Sequence, residues 1–217
     1  EREVEVEIAF TAKNPISKDY TFTPTVKTRK KVKVRRPPVL LVHGIWSGRH
    51  IWPASFTAPD PQDGWKIEAI DYPNSSHFKN SATVLNKEIG RVLDDERFDS
   101  QFATTKMDVI AHSMGGLVSR AFLNSLNGST YLRPNNFKEG DIRKLITLNT
   151  PHTGSQLANM LISIHDSFPH AKLAGLEEQL TTPNGNFHEG ALCDLAENSQ
   201  GIGLGAISGN ILARAYN

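Results

Sequence analysis

One cysteine, Cys193, stands in 217 residues, so neither an intrachain disulfide nor a cysteine-based zinc site is available. No apolar run approaches the ~18 residues that a membrane-spanning helix needs. Net charge is nearly absent too, at +1, which leaves the whole molecule without a bias toward nucleic acid or a charged membrane. Internal repeats and low-complexity tracts are missing. The chain opens at Glu1 with no signal-peptide apolar region, and reads as a processed or excised piece whose cellular address is lost. What is present is ordinary: 38% apolar and 22% charged residues are enough for a core and argue against disorder or a fibre. The length suits one domain, or one domain plus a fragment of a second.

The balanced charge hides an uneven distribution. Lys27 to Arg36 reads KTRKKVKVRR, seven basic residues in ten, whereas Glu1 to Glu7 carries four glutamates. A nucleic-acid or anionic-lipid patch is one reading of the basic run. The plainer one is a solvated strand, because Val26, Val32 and Val34 sit at even spacing and no aromatic is there to stack on a base. Glu3 to Ile8 alternates strictly and predicts a half-buried strand with a glutamate-lined outer face. Residues 1–36 therefore read as edge strands or as the tail of a preceding β domain, with a second unit over 37–217.

From Pro37 the texture changes. Val39-Leu40-Leu41-Val42 is continuously apolar, as expected of a strand buried on both faces of a parallel sheet. Further strands are predicted at 66–71, 106–111 and 142–148, with helices over 80–98 and 114–126. Strands alternating with helices imply a doubly wound α/β architecture, a mostly parallel sheet with helices on both faces. Beyond Thr150, Leu157, Met160, Leu161, Ile164 and Phe168 follow helical spacing. Leu173 to Thr182 reads as another helix, 183–186 as a turn, Gly201 to Gly209 as a loop, and Ile211 to Tyr216 as the opening of a strand.

The strongest chemical signal is Ala111-His112-Ser113-Met114-Gly115, placed at a strand-to-helix junction. A serine at the apex of so sharp a turn takes unusual backbone angles, and the chain passes close to itself on either side, so only small flanks such as Ala111 and Gly115 fit. Its hydroxyl then stands at a helix mouth, where amides favour developing negative charge. The alternative is a serine that merely caps the helix. Acyl transfer also needs two backbone donors aimed at the tetrahedral oxygen. The Met114 amide supplies one, and the loop His43-Gly44-Ile45-Trp46, after the first core strand, supplies the other through Ile45.

LLVHGIW, DVIAHSMGGLVSR and KLITLNTPHTGS, in that order and spacing, resemble the α/β-hydrolase superfamily. Within it they are similar to bacterial-type lipases and esterases with an Ala-His-Ser-Met-Gly-Gly elbow, and to the inositol-deacylase-like serine esterases. The resemblance covers about residues 37–160, extending toward 200. It implies a serine esterase with Ser113 as nucleophile, Ile45 and Met114 amides as oxyanion hole, no cofactor, and an acyl ester or lipid as substrate. It also implies that residues 150–200 hold a lid over an apolar cleft, with transient contact at a lipid surface; ordinary core helices are the other reading of that segment. No nucleic-acid partner is expected.

The superfamily order is nucleophile, acid, histidine. Asp141 precedes its strand and Asp194 has no histidine after it, while His152 belongs to a loop that relatives share without using it as a base. His43 and His112 flank the site, where relatives keep histidines for packing or supporting hydrogen bonds. Asp166 with His188 satisfies the order but lacks the strand context. The reading is therefore of a hydrolase domain truncated at its carboxyl end, with acid and histidine beyond Asn217. No metal site is expected, because the histidines after Ser113 lack ligand spacing apart from Asp166 and His170. Two classes remain open: an ester hydrolase, with acyltransferase or thioesterase as variants, and a binding module that keeps the fold without the chemistry.

Overall fold

In the computed structural model, which describes residues 2–11, 25–58, 64–100, 102–125, 136, 138–167 and 190–196, the alternating amino-terminal segment is β1 (Arg2–Thr11). The basic run is β2 (Thr25–Val34), and the two pair antiparallel in a sheet of their own. Their register sets Glu3 opposite Lys33, Glu5 opposite Lys31 and Glu7 opposite Arg29. Glu7 reaches Lys27 at 2.9 Å and Arg29 at 3.2 Å, so much of the basic run faces acid across the ribbon. Arg35 departs from the solvated face expected of it. It pairs with Glu96, which is 1% exposed, and its guanidinium lies 4.0 Å over the Phe102 ring. A charged pair in so dry a place anchors the end of the basic run to the body of the protein.

The second sheet carries the site. Its strands are β3 (Val39–Val42), β4 (Ile67–Ile70), β5 (Met107–His112) and β6 (Ile142–Leu148), in the order β4-β3-β5-β6 and all parallel. β3 is buried on both faces, which explains its unbroken apolar run. Between β3 and β4 lie a 3-10 turn (Arg49–Ile51) and the short α1 (Ala54–Thr57).

The predicted helical face of Leu85, Ile89, Val92 and Leu93 is buried on α2 (Phe78–Asp94), which continues into one π-helical turn (Asp95–Asp99). α3 (Met114–Ser125) leaves β5 after a single residue, packs against α2 and lies over β5 and β6. α4 (Gln156–Ser167) and α5 (Ala191–Leu195) pack together. The core joins strand residues Leu40, Val42 and Val109 to Phe78, Leu85, Ile89, Leu117 and Phe122 of α2 and α3. The readings of 173–182, 183–186, 201–209 and 211–216 lie outside the described residues, as do His170 and His188.

Candidate active site

Ser113 is the single residue between β5 and α3, and its φ of 52° is left-handed. A side chain pays about 1–2 kcal/mol for that conformation, so neighbours must hold it. Three hydrogen bonds do. The Ser113 amide donates to the Leu148 carbonyl at 2.7 Å, tying the turn to the end of β6. The Ser113 carbonyl accepts the Gly116 amide at 3.1 Å and the Thr150 hydroxyl at 2.9 Å. Ser113 Oγ, half-buried, makes no hydrogen bond among the described residues.

Close approach explains the small residues around it. A Cβ on Gly115 would stand 2.4 Å from the His43 carbonyl oxygen and 2.8 Å from that of Val42. One on Gly116 would stand 2.2 Å from Thr150 Oγ1. On the other side, a Cβ on Gly44 would meet Ser113 Cβ at 2.8 Å and Oγ at 3.3 Å. The loop after β3 is thus pressed directly against the serine at Gly44, the residue before Ile45, and the fold brings together two stretches far apart in sequence. Met114 opens α3, where the first amides have no intrahelical carbonyl to reach.

The loop itself is tightly held. His43 is fully buried, and its Nδ1 lies 2.8 Å from the Gly44 carbonyl oxygen, so that nitrogen carries the proton and donates. The Ser47 hydroxyl donates to the same oxygen at 3.0 Å. The imidazole stacks on Tyr72, centroids 4.3 Å apart, while the Tyr72 hydroxyl donates to the His43 carbonyl at 2.6 Å. Burial pushes the His43 pKa down and the Tyr72 pKa up. His43 is therefore neutral near pH 7, with Nε2 facing Asp71 Oδ1 at 3.8 Å.

The other candidates fall elsewhere. His152 Nδ1 accepts from Arg120 Nη1 at 2.9 Å, and its Nε2 lies 3.2 Å from Thr147 Oγ1. Burial, then the Arg120 charge, lowers its pKa. Asp166 is exposed on α4, 3.5 Å from His165 Nδ1. Asp194, which has no histidine after it in sequence, meets one before it: His77 Nδ1 lies 3.3 Å from both its oxygens. That pair was missed because nothing local marks a contact 117 positions apart. Among the described residues, no three histidines, cysteines or carboxylates gather as metal ligands.

The likenesses to known proteins agree with this architecture. Triacylglycerol lipase 2 of Saccharomyces cerevisiae (strain ATCC 204508 / S288c) is 25% identical over 104 residues. That match covers 48% of this chain and only 28% of the yeast protein. The mature form of Bacillus licheniformis lipase BlEst2 superposes with a TM-score of 0.51 at 20% identity, covering 77% of this chain and 57% of that one. Its propeptide form gives 0.51 at 18% identity, with 76% and 30% covered. At such identities the structural likeness shows the fold alone, which is the α/β-hydrolase fold of lipases and esterases. The model of one family, described as the PGAP1-like alpha/beta domain, matches residues 69–180, just over half of the 217, and the chain belongs to that family.

Proposed function

We propose that this chain is a serine hydrolase of carboxylic esters, acting through an acyl-enzyme on Ser113. The carrying observation is the left-handed Ser113, with no hydrogen bond on its hydroxyl among the described residues and the Ile45 loop packed against it. Ser113 Oγ attacks the ester carbonyl carbon and gives its proton to a base. The carbonyl oxygen becomes an oxyanion facing the Ile45 and Met114 amides. Collapse expels the alcohol, which takes the proton back, and water then releases the acid by the same steps in reverse.

A lipid-like acyl group is the substrate class we favour. Trp46, Ile51 and Phe56 follow β3 and are exposed, and Leu157 and Met160 of α4, after β6, are about half exposed. Both sets follow the carboxyl ends of parallel strands, as Ser113 does. The yeast relative's name, a triacylglycerol lipase, points the same way. In this reading α4 belongs to a lid over about 150–200, and residues 1–36 are the tail of a β unit distinct from the hydrolase domain.

Labelling by a fluorophosphonate tests the proposal. Ser113-dependent labelling is expected, and labelling that survives Ser113→Ala overturns it; no labelling at all favours a binding module on the hydrolase fold. The base lies outside the described residues, and one substitution separates its two sources. If it is His188, supported by Asp166, His188→Ala abolishes labelling. If it is carried by parent sequence beyond Asn217, labelling is slow and His188→Ala leaves it unchanged.

A further inference from the structure

The Ile45 amide cannot be aimed independently of the carbonyl before it. In a planar trans peptide the Gly44 C=O and the Ile45 N–H point in opposite directions, so whatever fixes one oxygen fixes the other hydrogen. The Gly44 oxygen accepts two hydrogen bonds, from His43 Nδ1 at 2.8 Å and from Ser47 Oγ at 3.0 Å. Both donors are themselves held by the chain leaving β4. Tyr72 stacks on the His43 ring and its hydroxyl bonds the His43 carbonyl, while Asn74 Nδ2 donates to the Ser47 carbonyl at 2.7 Å. Asp71 completes the frame by accepting the Arg49 amide at 2.7 Å.

We propose that His43 and Ser47 are positioning residues for the oxyanion hole, clamping the Gly44 carbonyl so that the Ile45 N–H points at the reacting oxygen, with Tyr72 and Asn74 as their supports. This rests on Ser113 being the nucleophile and Ile45 an oxyanion donor. The device has a physical logic. Loops after strands are commonly the mobile part of a site, whereas a preset donor loses nothing to reorganisation as the oxyanion forms. Two bonds on one oxygen restrict the peptide's rotation, which a single bond would allow.

The role differs from ordinary structural support in what it predicts. Weakening the clamp tilts a donor that matters in the transition state and leaves the docking of substrate untouched. The test compares wild type with Ser47→Ala, Ser47→Thr and Tyr72→Phe, using the fluorophosphonate labelling rate and the hydrolysis of p-nitrophenyl acetate. Ser47→Ala and Tyr72→Phe are expected to slow labelling and kcat about tenfold with KM unchanged, since losing an oxyanion donor outright costs about 10²–10³. Ser47→Thr, which keeps the hydroxyl, is expected to retain most of the rate. Melting temperatures measured alongside identify any variant that fails to fold, and the two sites lie on different elements, so either one alone carries the comparison. Wild-type rates in both, a change confined to KM, or no recovery with threonine overturns the clamp. If wild-type labelling is not lost on Ser113→Ala, it is the assignment of the nucleophile that has failed instead.

Discussion

Asp194 closes the first turn of α2 from far along the chain, its Oδ2 accepting the Phe78 amide at 2.6 Å across 116 positions of sequence. The same carboxylate faces His77 Nδ1, and His77 Nε2 accepts the Gly190 amide at 3.1 Å, so both ring nitrogens are engaged. The Ala191 amide donates to the Ser75 carbonyl at 3.0 Å, and the Ser155 amide to that of Leu195 at 2.7 Å. α5 is thereby joined to the start of α2 and to the start of α4. Asp194→Ala should cost about 0.5–2 kcal/mol by urea unfolding, the range for a lost helix cap. Asp194→Asn keeps an acceptor and should cost less. Equal losses for the two would refute a capping role.

The glycines after Ser113 should differ in how far they tolerate a methyl group. At Gly115 the obstacle is the β3 backbone, at the Val42 and His43 carbonyls, which cannot step aside. At Gly116 it is the Thr150 side chain. Gly115→Ala is expected to destabilise by more than Gly116→Ala, with overpacking of this kind costing about 1–3 kcal/mol. Thr150→Ala should recover part of the Gly116→Ala loss and none of the Gly115→Ala loss. Chemical denaturation of the three singles and two doubles decides it.

Acid should weaken the fold through His43. Its pKa in the folded protein lies below the ordinary 6.5, chiefly because the ring is buried. The unfolded chain takes up the proton first, so this contribution to stability is complete above about pH 6.5 and is lost as pH falls through the lower folded value. Melting temperature should therefore decline on the acid side of that point, and His43→Asn should flatten the slope while lowering stability at neutral pH. An unchanged slope in the variant would refute the assignment.

Ser113→Gly should abolish labelling without harming the fold. Glycine relieves the left-handed strain, worth about 1–2 kcal/mol, and gives back about 0.5–1 kcal/mol in backbone entropy. The variant's melting temperature should match or exceed that of wild type. A clear fall would mean that the serine side chain contributes packing that outweighs its strain.

The parts legible in the sequence were those whose cause is local. β3 showed because a strand buried in a parallel sheet needs a continuous apolar run, and the serine turn after β5 showed because its crowding admits only small flanks. The helical face of α2 followed from its 3.6-residue period. The frame around the Ile45 loop did not show. Tyr72 and Asn74 reach His43 and Ser47 only because β4 pairs beside β3, with Ile70 opposite Val42, and no spacing rule announces that register. Arg35 was hidden for a related reason: inside a run of solvated cations, nothing marks the one that meets a buried glutamate.

The strand order also has a consequence for synthesis of the chain. β3 is paired in the native sheet with β4 and β5, and β5 begins only at Met107. At roughly 5–20 residues per second, Val39-Leu40-Leu41-Val42 waits for seconds before both neighbours exist. During that interval it is a short, uncharged, apolar stretch whose backbone is unpaired and open to pairing with another chain. Immediately ahead of it stand Arg35, Arg36, Pro37 and Pro38, two cations and two residues that cannot donate to a ladder. The end of the basic run thus guards this fully buried strand while its partners are still being made. Replacing Arg36, Pro37 and Pro38 with neutral β-formers, while Arg35 stays on Glu96, should show as lost soluble yield.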